Sequence, residues 1–164
     1  MRSVLSLGAA CVALSLALPA IAQTPAPAAP VPFASDADIQ ALIAKAKAQA
    51  KPGTPTISQP ILKLAPYQAN LEYRTEKGPA AVHETEAEVF VGVQGSGTIV
   101  IGGQLTNSKR TNEHNLSGEG ITGGTAYHLE KGAMLVVPQG QPHQVTQVDG
   151  GGALVVMTLH VPRS

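Results

Sequence analysis

The chain has 164 residues, with eleven Lys and Arg against eleven Asp and Glu, no Trp, three Tyr and two Phe. No basic run or aromatic-studded patch stands out, so nucleic acid is not an expected partner. The length suits one ordinary domain plus a short extension, and with so few aromatics its core must be built mainly from Val, Leu, Ile and Ala.

In chain order, Met1-Arg2 precedes an apolar run from Val4 to about Leu18, which reaches Pro19-Ala20-Ile21-Ala22 ahead of Gln23. These are the three regions of a secretory signal over residues 1–22, with cleavage after Ala22 and a periplasmic or secreted destination. The run is short of the roughly 20 residues that span a bilayer, so no membrane association is expected after cleavage. Cys11, the single cysteine, lies inside that run, and Gly8-Ala9-Ala10 before it lacks the large aliphatic residue of a lipoprotein site. The mature chain therefore has neither disulfides nor thiolate chemistry. Losing Arg2 leaves ten basic against eleven acidic residues, a formal charge of minus one.

Residues 23–34 are dominated by Pro and Ala and read as a linker, extended in places. Ser35 stands three residues before Asp38, and Pro52-Gly53 closes the following Ala- and Lys-rich run, which predicts a capped helix over 35–51. Ile39, Leu42, Ile43 and Ala46 share one face of it, which should pack on the chain's own domain.

From Ile61 onward short runs of Val, Ile, Leu, Thr and Tyr alternate with Gly, Pro and Asn, the texture of an all-β domain. Strands are predicted at 61–64, 69–74, 80–83, 88–93, 97–101, 125–129, 134–137, 144–148 and 153–160. Gly95-Ser96-Gly97 reads as a hairpin turn. The polar stretch from Gln104 to Gly124 is long for a loop in a compact domain and is either functional or mobile. Within it, Asn115-Leu116-Ser117 matches a glycosylation acceptor, a short pattern with nothing else here to support it.

Two segments stand out. Gly132, five residues, Pro138, one, Gly140, two and His143 form a turn into a strand, a tight turn out of it and a histidine opening the next strand. In the first half, Glu88 is followed after six residues by Gly95, and His83 precedes Glu88 by four intervening residues. With these spacings the chain resembles the cupins, whose two conserved motifs they match over roughly 61–161. It departs from them where Ala81 stands at the first histidine of the first motif and Thr75 at its opening glycine. The resemblance implies an all-β, double-stranded β-helix (a cupin jelly-roll barrel) with one N-terminal helix, and commonly a homodimer. Ile61–Leu64 is the candidate for strand exchange in such a dimer.

The resemblance also implies a metal site at His83, Glu88 and His143. Two imidazoles and a carboxylate with open positions suit a divalent metal ion, iron, manganese, nickel or zinc. Glu84 and Glu86 lie near enough to substitute, although alternation sends Glu84 to the face opposite His83. His128 sits on a predicted strand whose facing is undetermined, while His114 and His160 read as surface or hydrogen-bonded residues.

Other chemistries fit poorly. His83-Glu84 begins like a zincin pair, but position 87 is Ala, and no Gly-x-Ser-x-Gly elbow or phosphate-cradling loop occurs. The chain is thus expected to bind a small polar or carboxylated molecule in its barrel with a divalent metal. Any catalysis would be of isomerase, lyase or dioxygenase type, with a carboxylate such as Glu88 moving a proton. The alternative is a metal-free ligand-binding or sensing module whose 104–124 loop meets a partner.

Overall fold

The computed structural model describes residues 32–163, so the expected secretory signal over 1–22 and most of the expected linker over 23–34 lie outside the described residues. No helix among the described residues is long and apolar enough to cross a membrane.

The helix, α1, spans Asp36–Gln49. Its start is the expected capping box: Ser35 Oγ accepts from the Asp38 amide at 3.2 Å, and the Asp38 carboxylate accepts from the Ser35 amide at 2.8 Å. It ends at Gln49, two residues short of Lys51, with Ala50 already extended, and Pro52 keeps Lys51 out of the helical region.

Thirteen strands follow: β1 Thr56–Leu64, β2 Tyr67–Arg74, β3 Ala80–His83, β4 Glu86–Gln94, β5 Ser96–Ile101, β6 Gln104–Thr106, β7 Lys109–Asn112, β8 Asn115–Gly118, β9 Gly120–Thr122, β10 Thr125–Glu130, β11 Met134–Val137, β12 His143–Val148 and β13 Leu154–Pro162. The expected strands are present, most of them lengthened at one or both ends. The first begins at Thr56 and tolerates Pro60 because it is an edge strand with a register shift between Pro60 and Leu62. Leu62, Lys63 and Leu64 pair with β2 of the same chain, and Ile61 falls at the register shift.

One sheet has the order β1-β2-β13-β4-β11, the second β10-β5-β12-β3-β8-β7, and β6 and β9 form a small ribbon. Strands of the first half, β3 to β5, interleave with β10 to β13 of the second, so most ladder neighbours come from opposite halves of the chain. The stretch from Gln104 to Gly124 is therefore mostly two short ribbons rather than a loop. Its strands are short and polar, β7 is exposed throughout, and none carries the apolar alternation that marks a strand in sequence. Gly95 also differs from expectation. β4 and β5 lie in different sheets, so this glycine turns the chain at a corner instead of closing a hairpin. Its φ is +71°, and a Cβ there would stand 2.1 Å from the Ala153 carbonyl oxygen.

Two apolar clusters hold the fold. Phe90, Ile99, Leu129, Val137, Val145, Leu154 and Val156 fill one end of the space between the sheets. Outside the five-stranded sheet, Ile43 and Ala46 of α1 pack on Ile57, Leu71, Tyr73 and Val155, with Ile39 and Leu42 alongside, so the apolar face of the helix docks on its own domain. The rest of that outer face is also apolar, running through Val91, Met157 and Leu159 to the exposed Met134 and Val136.

Candidate metal centre

Alternation along β4 turns Glu88 and Phe90 to the interior, with Phe90 in the apolar cluster and Glu88 one step nearer the open end. Glu88 is almost fully buried, at 3 % exposure. Three imidazoles meet its carboxylate. His143 Nε2 lies 3.0 Å and His83 Nε2 3.3 Å from Oε2, and His160 Nε2 lies 3.6 Å from Oε1.

The elements behind these side chains are fixed by the motifs. Pro138 and Gly140 turn the chain between β11 and β12, and the Gly140 amide donates to the His83 carbonyl at 2.8 Å. That bond ties the turn carrying His143 to the strand carrying His83. His160 is the direct cross-strand partner of Glu88 in the β4–β13 ladder, so both side chains emerge on one face. Ala81 is the partner of His143, and it lines the pocket where a fourth imidazole would otherwise stand.

The structure therefore brings together all three residues expected from the motifs, and it corrects the reading of His160. That residue is hydrogen-bonded, to Glu86 at 2.8 Å, but it faces the pocket rather than the surface. The signal was available: counting by twos from Leu154 through Val156 and Thr158 arrives at His160 on the interior face. Glu84 points away from the cluster and forms a two-toothed pair with Arg110 at 2.7 and 3.0 Å, whereas Glu86 supports the site only through His160. His114 and His128 are exposed.

Each imidazole has its second nitrogen against an acceptor. His83 Nδ1 meets Asn115 Oδ1, an amide oriented by its own bond to Asn112 at 2.9 Å. His160 Nδ1 meets Glu86, and the Gln141 carbonyl lies 3.4 Å from His143 Nδ1. Holding Nδ1–H in this way is the usual outer layer of a metal-ligating histidine, and it turns the Nε2 lone pairs inward. Three lone pairs and a carboxylate facing one another require positive charge between them, either protons or a cation.

Distances agree with a cation as well. Bonds of about 2.0–2.2 Å to histidine and carboxylate place neighbouring ligand atoms about 3.0–3.5 Å apart, close to the three separations above. His83, Glu88 and His160 offer ligand atoms all within 4.8 Å of one another. His143 falls outside that set, although its nitrogen is the nearest to Glu88.

Burial pushes the Glu88 carboxyl up, but the hydrogen bonds from His143 and His83 outweigh it and hold the group well below the usual carboxylate range. Burial pushes His83 down, and its bonds to Glu88 and Asn115 overcome this to leave it raised.

The cluster lies in a cavity of about 380 Å³ that is also lined by Pro55, Thr56, Glu72, Arg74 and Pro79. Among solved structures, the chain is similar to the cupin domain of Schizosaccharomyces pombe Cnp3, with 13 % identity over 68 % of this chain and 71 % of that one, and a TM-score of 0.49. It is also similar to a putative mannose-6-phosphate isomerase from Ralstonia eutropha JMP134 (17 % identity, 70 % and 91 % covered, TM-score 0.49). KdgF from Halomonas sp. is a third such structure (14 % identity, 70 % and 87 % covered, TM-score 0.49). No family model and no curated protein matches the chain. By the interleaving of its two halves into facing antiparallel sheets, the described domain is a double-stranded β-helix of the cupin type.

Proposed function

We propose that this is an exported cupin-fold protein that binds a divalent metal ion at Glu88, His83, His160 and His143, and a small molecule in the cavity beside it. One observation carries the reading: three imidazoles aim Nε2 at one buried carboxylate while each Nδ1 faces an acceptor. His160 restores the donor lost at Ala81, entering from β13 instead of β3. The all-nitrogen-and-oxygen donor set suits iron, manganese, nickel or zinc. Such an ion supplies Lewis acidity, polarising a carbonyl or orienting a hydroxyl. The chain's own part is to fix the imidazoles through Asn115, Glu86 and the Gln141 carbonyl, and to keep Glu88 ionised.

Elemental analysis of protein purified from its exported compartment without chelators tests this. Near-stoichiometric metal is expected, with loss in Glu88→Ala and strong loss in His83→Ala, His143→Ala and His160→Ala. Undiminished metal in His160→Ala would remove that residue from the set. No uptake after reconstitution would leave a metal-free binding module. The purified protein should begin at Gln23. Pairing of two copies through the uncovered apolar half of the five-stranded sheet belongs to the same proposal, supported by the exposed Met134, Val136, Leu159 and Val161. A monomeric mass in light scattering would oppose it.

A further inference from the structure

The cavity that holds the imidazole cluster has a second polar feature. Arg74 and Glu72, two apart on β2, face inward and line the same space. Their ion pair is lopsided. Arg74 Nε and Nη2 both donate to a single oxygen, Glu72 Oε2, at 2.9 and 2.6 Å. Nη1 makes no hydrogen bond among the described residues, and Glu72 Oε1 accepts none, although the two side chains are only 12 % and 15 % exposed. A Cβ at Gly78 would stand 3.3 Å from Nη1, so the absence of a side chain there keeps the space beside this nitrogen clear. The remaining wall is Pro55, Pro79 and Ala81, whose side chains offer no donors, and Thr56, whose hydroxyl can add one neutral hydrogen bond beside Arg74.

Resting on the cation site proposed above, we infer that the ligand is a small carboxylic acid with a second oxygen donor, a hydroxy- or keto-acid. Its carboxylate sits on the free edge of Arg74 and its other oxygen on the open side of the imidazole cluster, next to Ala81. A guanidinium that is already oriented by Glu72 but keeps unused N–H groups is suited to planar, two-point recognition of a carboxylate. The methyl of Ala81, in place of an imidazole, leaves room for the second oxygen at the cluster. The cavity volume of about 380 Å³ is at the small end for ligand pockets, which restricts the acid to a short chain. Arg74 is thus a specificity-determining residue, separate from the metal ligands.

The test titrates the full chain, loaded with manganese(II), with hydroxycarboxylates of about three to six carbons, each beside its neutral amide, by calorimetry. At least one acid should bind roughly tenfold or more tightly than its amide. In Arg74→Gln that preference should vanish while metal content, measured on the same samples, stays the same. Glu72→Gln should tighten acid binding severalfold, because it removes the negative charge that neutralises Arg74 and repels an incoming carboxylate while leaving an amide oxygen to orient the guanidinium, and it carries the test if Arg74→Gln does not fold. Equal binding of every acid and its amide, a preference that survives Arg74→Gln, or unchanged or weaker acid binding in Glu72→Gln would each overturn the inference. If manganese does not load, the same titration of metal-free protein still reads Arg74. An acid preference lost in Arg74→Gln would then keep the acid site and reject the cation.

Discussion

Glutamine at position 88 keeps the volume of the side chain and removes its charge at the point where three imidazoles meet. In metal-free protein those imidazoles face the carboxylate through protons, so the substitution takes away one partner of a buried charged arrangement. Such a loss costs about 3–5 kcal/mol, and because the Gln amide oxygen can still accept from one imidazole the lower end applies. At about 3–5 °C per kcal/mol for a domain of this size, chelator-treated Glu88→Gln should melt about 10 °C below the parent. Circular dichroism at pH 6 with EDTA reads this directly. Glu113→Gln serves as the control, since Glu113 is 87 % exposed and only loosely paired with His114 at 3.9 Å, and it should melt within about 2 °C of the parent. A Glu88→Gln protein that melts with the parent, or above it, would show that the carboxylate is not held by imidazole N–H groups and would refute the reasoning.

The same cluster sets a pH dependence. Glu88 is depressed below its ordinary 4.5, so its contribution is present above that value and is lost as pH falls through the lower folded one. His83 is raised above 6.5, so its contribution is complete below 6.5 and is lost as pH rises through the folded value. Metal-free protein should therefore be most stable between these two, and a melting temperature that climbs steadily from pH 6 to 8 in EDTA would contradict this. A bound cation needs neutral imidazoles, so the stabilisation it adds should instead grow from pH 6 to 8 in paired melts with and without metal. Gly95→Ala should cost about 2 kcal/mol or more in urea unfolding, from a positive φ and a Cβ pressed on the Ala153 carbonyl, and a cost under about 0.5 kcal/mol would count against the corner geometry. Ala46→Leu, at a fully buried helix position, should cost about 1–3 kcal/mol by overpacking the helix–sheet contact while leaving metal content unchanged.

Much of the domain was legible because its signals are local. Ser35 with Asp38 and Pro52-Gly53 bracket a helix through backbone chemistry alone, and the Pro138-to-His143 spacing marks a turn whose consequence, an inward His143, follows without knowledge of the partner strand. The missed features depend on contacts between distant segments. Gly95 obeys turn chemistry in a hairpin and at a corner alike, and only the pairing of β4 with β11 and β13 decides between them. His160 lies on a strand that was recognised, but its role depends on register with Glu88, seventy-two positions earlier in the chain. The polar stretch after Gly103 carries no apolar alternation, so nothing marked its strands, or showed that Asn115 would orient His83.

The four side chains around the candidate centre are drawn evenly from the two sheets: His83 and His143 from the six-stranded one, Glu88 and His160 from the five-stranded one. A cation among them is a clamp between layers in a domain whose described residues contain no cysteine to form one covalently. Unlike a disulfide, that clamp has an occupancy set by the surroundings. At a free-ion level one hundred times the dissociation constant it adds about 2.7 kcal/mol, and this shrinks toward nothing as the level falls to that constant and below. With the proposed ion bound, the durability of the barrel would become a readout of available metal, and starvation for the ion would loosen the fold together with its pocket.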